Sequence, residues 1–198
     1  MSTAAAAPLI LGLTGPSSAG KDSAAAYLDD VYGFAVIALA DPILDMLTAL
    51  AHHVDVDGAW CTEPGLKEQP MPALGRSYRE LARSLGTAWG RELLGADWWV
   101  RIADHKLRQA LERGDNVLVS DVRHHNELSW LAGRGGLLVR VHRPGRGFRA
   151  AEHDSESQAA ELPAWREIHN TSTRAHLYDQ LDIVVEQARR FHREDTAA

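Results

Sequence analysis

Short apolar runs recur along the chain between longer segments of helical period. Leu9–Leu13, Phe34–Ala40, Asn116–Ser120 and Gly136–Val141 are four such runs, and each predicts a buried strand. Glu167-Ile168-His169-Asn170 predicts a last, short one. Between them, Ala24–Leu28 opens a helix that Gly33 closes. Asp41-Pro42 opens a second, with Asp41 as N-cap, Pro42 as the first helical residue, and Ile43, Leu44, Leu47 and Leu50 on the apolar face. Residues 54–75 have no period and read as an inserted loop. Ser77–Leu94 is helical in pattern, with Tyr78, Leu81, Leu85 and Trp89 roughly on one side, and is weakened by Gly86 and Gly90. Asp97 reads as the N-cap of a helix through Trp98, Ile102, Leu107 and Leu111 to Gly114. A helix near Asn126–Leu131, a polar, mobile segment over 145–161 and a closing helix from Ala175 to Arg193 complete the pattern.

Strands that alternate with helices predict an α/β fold with a largely parallel sheet of five strands. In such sheets ligands lie beyond the carboxyl ends of the strands. Gly15–Ser23, Asp41, Asp121–Arg123 and Arg143 all fall at that edge. The first strand runs into Gly15-Pro16-Ser17-Ser18-Ala19-Gly20-Lys21, a G-x-x-x-x-G-K loop followed at once by a helix. Strand, loop and helix in this order form a phosphate-binding P-loop: the glycines let backbone N–H groups point inward, and the helix start adds its free donors. The expected donor-phosphate contacts are Gly15, Ser18, Ala19, Gly20, Lys21, Asp22 and Ser23, with Lys21 supplying a mobile positive charge for the β- and γ-phosphates. The hydroxyl residue that usually follows the lysine is displaced by one, to Ser23, and Asp22 stands in its place. Both are hard-oxygen donors suited to Mg²⁺, and the spacing leaves open which of them faces the ion.

The composition is that of one ordinary globular domain of 198 residues, with 45% hydrophobic and 24% charged residues. A net charge of −6 argues against broad nucleic-acid binding. No apolar run approaches the roughly 20 residues of a membrane span, and Met1–Pro8 reads as a frayed tail. Cys61 is the one cysteine, which suits a reducing compartment such as the cytoplasm. Ten histidines occur without zinc spacing.

Asp121, at the end of the apolar run Val117–Ser120, looks like a Walker B acid that holds Mg²⁺ through water or orients a substrate; a strand-end turn residue is the alternative. Arg123 can grip a phosphate, or lie on the surface. Arg76, Arg79 and Arg83 share a face at helical spacing, either as a solvated face or as a clamp for an acceptor phosphate. Trp89 and Trp98 are core residues, or stacking partners for a base.

Together these segments resemble the bacteriophage-type deoxynucleoside monophosphate kinases, P-loop enzymes of the nucleoside monophosphate kinase fold. The resemblance spans roughly residues 9 to 185. It rests on Gly20-Lys21-Asp22-Ser23, Ala38–Pro42, Gly75–Leu81, Leu85-Gly86-Thr87, Trp89-Gly90-Arg91 and Asp97–Val100. It continues in Ser120–Arg123, Asn126-Glu127, Val139–Pro144 and His153-Asp154-Ser155-Glu156. Two stretches depart from the family pattern: Pro16-Ser17-Ser18 within the loop, and His124-His125, where a Phe-Pro pair is commoner. The resemblance implies transfer of the ATP γ-phosphoryl group to a deoxynucleoside monophosphate with Mg²⁺, held by Asp22, Ser23 or Asp121. It implies a helical acceptor-binding insert over about 41–113 and a lid-like segment over about 143–165. Lys21, Arg123 and Arg143 are the expected catalytic residues, with Arg143 also on ATP. Asp41, Arg76, Arg79, Trp89, Asp121, Arg123 and Glu156 are the expected acceptor contacts. Small nucleotides are then the partners, without nucleic acid or membrane, in a possible homodimer in the cytoplasm (the host's, if phage-encoded). Another small P-loop kinase, acting on dephospho-coenzyme A or phosphomevalonate, and a nucleotide-binding switch are the competing readings.

Overall fold

Five strands build one parallel sheet at the centre of the larger of two units. The structure, a computed structural model, describes residues 7–147 and 154–196, without the side chains of 154–156, 195 and 196. The strands are β1 (Ile10–Thr14), β2 (Ala35–Ala38), β3 (Val117–Ser120), β4 (Leu137–His142) and β5 (Arg166–His169), in the spatial order β2-β3-β1-β4-β5. β1 is central: Gly12 is in register with Val119 on one side and Leu138 on the other. All pairings are parallel, so every strand's carboxyl end lies at one edge.

The period of two along β1 sorts its side chains between two helical layers. Leu11 and Leu13 belong to a core with Ala24 and Leu28 of α1 (Lys21–Tyr32) and Leu177, Leu181 and Val185 of α8 (Arg174–Thr196). Gly12, between them, faces the other way. A Cβ there would stand 2.4 Å from Leu131 Cδ2 of α6 (His125–Gly133), so the missing side chain lets that helix seat on the sheet. Tyr27 and Tyr32 of α1 both donate to Asp182 Oδ1 of α8, each at 2.7 Å. That shared carboxylate pushes the Tyr27 hydroxyl up to about 12.

Residues 39–102 form the second unit, which is helical. It holds α2 (Asp41–His53), α3 (Ala59–Thr62) and α4 (Tyr78–Arg83), a π-helical stretch Ser84–Leu93, and the start of α5 (Trp98–Glu112). Residues 103–113, read from the sequence as part of the insert, cluster with the sheet unit. Other expectations need correction. Asp41 is the first helical residue of α2, not its cap; Ala40 takes the cap position and Pro42 lies in the first turn. The supposed loop over 54–75 contains α3. The polar segment read as mobile contains α7 (Asp154–Glu161), while residues 148–153 lie outside the described residues.

Ser77 starts α4 with a capping box: its Oγ accepts from Glu80 N–H (3.2 Å), and Glu80 Oε2 accepts from Ser77 N–H (2.8 Å). The helix then widens to i→i+5 bonding, as in Leu94 N–H to Trp89 O at 3.2 Å. The Trp99 indole lies against this wide turn and donates through Nε1 to Gly86 O at 2.9 Å. A Cβ on Gly90 would stand 2.4 Å from the same Nε1 and 2.5 Å from Cε2. Gly90→Ala is therefore expected to lower stability by about 1–3 kcal/mol, the usual cost of overpacking a rigid site. Urea denaturation checks this; an unchanged midpoint would mean that the indole moves aside freely. No helix among the described residues is long and apolar enough to cross a membrane.

Candidate active site

Three positive φ angles shape the turn between β1 and α1: 146° at Gly15, 60° at Ser18 and 110° at Gly20. The glycines hold the two that a side chain would strain most. Gly15 also has no room for a side chain, since a Cβ there would stand 2.4 Å from the Val141 carbonyl oxygen of β4. Lys21 begins α1, and its side chain curls back over the loop. Nζ donates to Gly15 O at 2.7 Å and Pro16 O at 3.0 Å, and lies 3.2 Å from Asp121 Oδ1. The side chain is 8% exposed, so the sequence expectation of a mobile charge is corrected to a buried, tethered one.

Asp121 directly follows β3 and has φ 62°, which Asp tolerates better than most side chains. Its carboxylate is gripped twice by Arg123, through Nε at 2.7 Å and Nη2 at 2.6 Å, and faces Lys21 with its other oxygen. Burial pushes the carboxyl up, but the Arg123 and Lys21 charges outweigh it and hold the group below its ordinary 3.8. The sign follows. A depressed carboxyl stabilises the fold fully above pH 3.8 and loses that contribution as pH falls through its lower folded value. Asp121→Asn should be less stable than the wild type at neutral pH, with the gap narrowing as pH drops below about 3.8. Urea midpoints across pH read this, and a constant gap would count against the ion pairs.

Arg123 is held from behind. Its N–H and that of His124 donate to Glu127 Oε2 at 2.8 and 3.1 Å, and Glu127 is 4% exposed. His124 caps α6, with Glu127 completing the capping box. The other strand ends reach the loop as well. Arg143, exposed after β4, donates from Nη1 to Ser18 O at 3.3 Å. Asn170, just past β5, donates from Nδ2 to Ala19 O at 2.9 Å.

Asp22 is exposed and Ser23 half-buried in the first turn of α1. Among the described residues, no three His, Cys, Asp or Glu side chains form a metal-binding group. The oxygens at hand are Asp22, Ser23 and Asp121 Oδ1, which lies 3.2 Å from Lys21 Nζ. Hard oxygens in small number fit Mg²⁺ that arrives with phosphate ligands of its own.

The chain is 27% identical over 194 residues to a protein of Acanthamoeba polyphaga mimivirus named "Putative deoxynucleotide monophosphate kinase", covering 91% of this chain and 97% of that one. This relative supports a nucleotide kinase. No family model matches the chain. A solved structure of a "putative kinase" from Chloroflexus aurantiacus is 10% identical and superposes with a TM-score of 0.51, covering 93% of this chain and all 100% of that one; it shows a shared fold. A dephospho-CoA kinase from Campylobacter jejuni is 16% identical over 92% of this chain and 98% of that one, with a TM-score of 0.46.

The remaining expected residues belong to the helical unit, apart from Glu156, whose side chain lies outside the described residues, as does the whole of His153. Arg76 precedes the N-cap Ser77, so helical spacing does not join it to Arg79 and Arg83. Arg76 pairs with Glu80 at 3.3 Å and Arg79 with Glu68 at 2.5 Å, with the arginines 67% and 53% exposed. Trp89 packs edge-on to Trp98 and tilted against Trp99, within the cluster that also takes Ile43 and Leu47. Sequence reasoning passed over Asn170 and gave Glu127 no role. For Asn170 a signal existed: it ends the last predicted strand, at the edge where ligands bind.

Proposed function

We propose that this chain transfers the γ-phosphoryl group of ATP to a deoxynucleoside 5′-monophosphate, giving the diphosphate and ADP. The observation that carries this reading is the buried Lys21 ammonium folded over the Gly15–Gly20 turn, at the carboxyl edge of a parallel sheet and at a helix start. Such a turn collects N–H donors and one cation around an anion. The name of the mimivirus relative supports the acceptor class.

An acceptor phosphate is already an anion, so the chemistry needs alignment and charge stabilisation more than a base. In this reading Lys21 and the loop amides hold the donor phosphates. Arg143, tethered to Ser18 O, can shift from that carbonyl to a phosphate oxygen. Asp121 bridges Lys21 and Arg123, one on each carboxylate oxygen, and offsets their mutual repulsion, so that two cations are presented side by side. Asp22 or Ser23, with Asp121, would hold Mg²⁺, which when bound neutralises phosphate charge. Asp41, Arg76, Arg79, Trp89 and Glu156 remain candidate acceptor contacts.

The test is coupled ADP release with ATP, Mg²⁺ and each deoxynucleoside and ribonucleoside monophosphate, with dephospho-coenzyme A and phosphomevalonate as further arms. Release that depends on a deoxynucleoside monophosphate supports the reading. Slow release that no acceptor stimulates makes the chain a nucleotide switch. Arg123→Ala should raise the acceptor KM by about tenfold or more, roughly 1.4 kcal/mol, with ATP KM changed little. A fall in ATP affinity instead would place Arg123 on the donor side.

A further inference from the structure

We propose that Asn170 is a positioning residue for the phosphate-binding turn: its side chain locks the Ala19–Gly20 peptide so that the loop donors face the nucleotide. This rests on the nucleotide reading of the loop given above. The geometry is specific. Asn170 follows β5, and its backbone N–H donates to His142 O at 2.7 Å, which extends the β4–β5 ladder by one step and fixes the residue to the sheet. From that anchor, Nδ2 donates to Ala19 O at 2.9 Å. The amide group rests directly on Gly20, where an added Cβ would stand 2.5 Å from Nδ2.

A trans peptide is planar, with its carbonyl and its N–H pointing in opposite directions. Holding Ala19 O toward Asn170 therefore aims the Gly20 N–H away from it, and keeps a carbonyl lone pair off the anion. Gly20 has φ 110°, a region where the backbone has no side chain of its own to restrain it. The restraint is imported from the far end of the chain. Only a donor serves here, so the amide nitrogen and not the oxygen of Asn170 must face Ala19.

The experiment uses the full-length protein with Asn170→Ala and Asn170→Asp. Asp has the shape of Asn but offers an acceptor to the Ala19 carbonyl. Steady-state kinetics give the ATP and acceptor KM values, and amide hydrogen exchange reports on Gly20, Lys21 and Asp22 without any ligand. Both variants should raise the ATP KM by about tenfold or more and leave the acceptor KM within about twofold. Both should speed exchange at Gly20 and Lys21, while the β1 amides stay protected. If Asn170→Ala does not fold, the uncharged and similarly sized Asn170→Leu, which also lacks the donor, takes its place beside Asn170→Asp. Unchanged ATP KM and unchanged loop exchange overturn the proposal, even if the melting temperature falls. Impairment of Asn170→Asp alone also overturns it, since added charge would then be the cause. If the wild type neither binds ATP nor turns it over, the functional reading has failed, and faster loop exchange in the variants still upholds the positioning role.

Discussion

Lys21→Ala is expected to slow phosphoryl transfer by about 100- to 1,000-fold in a protein that still folds. The ammonium is 8% exposed and makes its contacts with Gly15 O, Pro16 O and Asp121. A charge in so dry a place acts on the developing transition-state charge at low dielectric. Its loss should cost about 3–4 kcal/mol, or about 10²–10³ in kcat. Unlike the freely mobile lysine that the sequence suggests, this one also leaves partners behind. Two carbonyls lose a donor, and Asp121 keeps only Arg123 as a counter-charge. A stability loss of about 1–3 kcal/mol should accompany the kinetic loss. ADP release measures the first and thermal unfolding the second. A folded Lys21→Ala protein with near-normal turnover would show that the loop does not serve a nucleotide.

Gly15→Ala should come second in size. The new methyl would stand 2.4 Å from the Val141 carbonyl oxygen, which belongs to the backbone of β4 and cannot swing aside as a side-chain tip could. At φ 146° the residue is also strained in its own right. The loop must move, and Gly15 O, which holds Lys21 Nζ at 2.7 Å, must move with it. A displacement of about 1 Å at a reacting centre costs on the order of 100-fold, and a loss of that size in kcat/KM for ATP is expected. Gly33→Ala is the matched control: φ is 65°, but nothing lies within 4 Å of the added methyl. It should cost about 1–2 kcal/mol of stability and leave kinetics alone. Equal kinetic damage from both would mean that general loss of stability, and not the Val141 contact, lowers activity.

Features carried by neighbours in the chain were legible without a fold. A strand buried on both faces of a parallel sheet is a near-continuous apolar run, so those at Leu9–Leu13, Asn116–Ser120 and Gly136–Val141 announced themselves. A turn that bends around an anion needs glycine at set positions, so Gly15, Gly20 and Lys21 stood out together. Local preference also misled. Asp-Pro suggested a cap at Asp41, while the chain enters α2 one residue earlier, through Ala40. Arg76 and Arg79 have helical spacing, yet the capping box at Ser77 begins the helix between them.

The remaining features depend on segments far apart in the chain. Asp154–Glu161 has no apolar stripe that would mark a helix. It is held where Arg140 of β4 donates to the carbonyls of Ala159, Ala160 and Leu162. Asp121, at the end of β3, carries no mark of its pairing with Lys21, one hundred residues away in the chain and beside it in the fold, nor Asn170 of its bond to Ala19. Apolar runs and glycine turns are dictated by chain stereochemistry and burial, which act over a few residues and leave a periodic trace. A hydrogen bond between strand ends depends on sheet order, and β1 between β3 and β4 is an arrangement that no local pattern encodes. The Gly15–Lys21 turn was therefore readable in advance, whereas the ion pairs and amide that hold it in shape became visible only once the strands were set side by side.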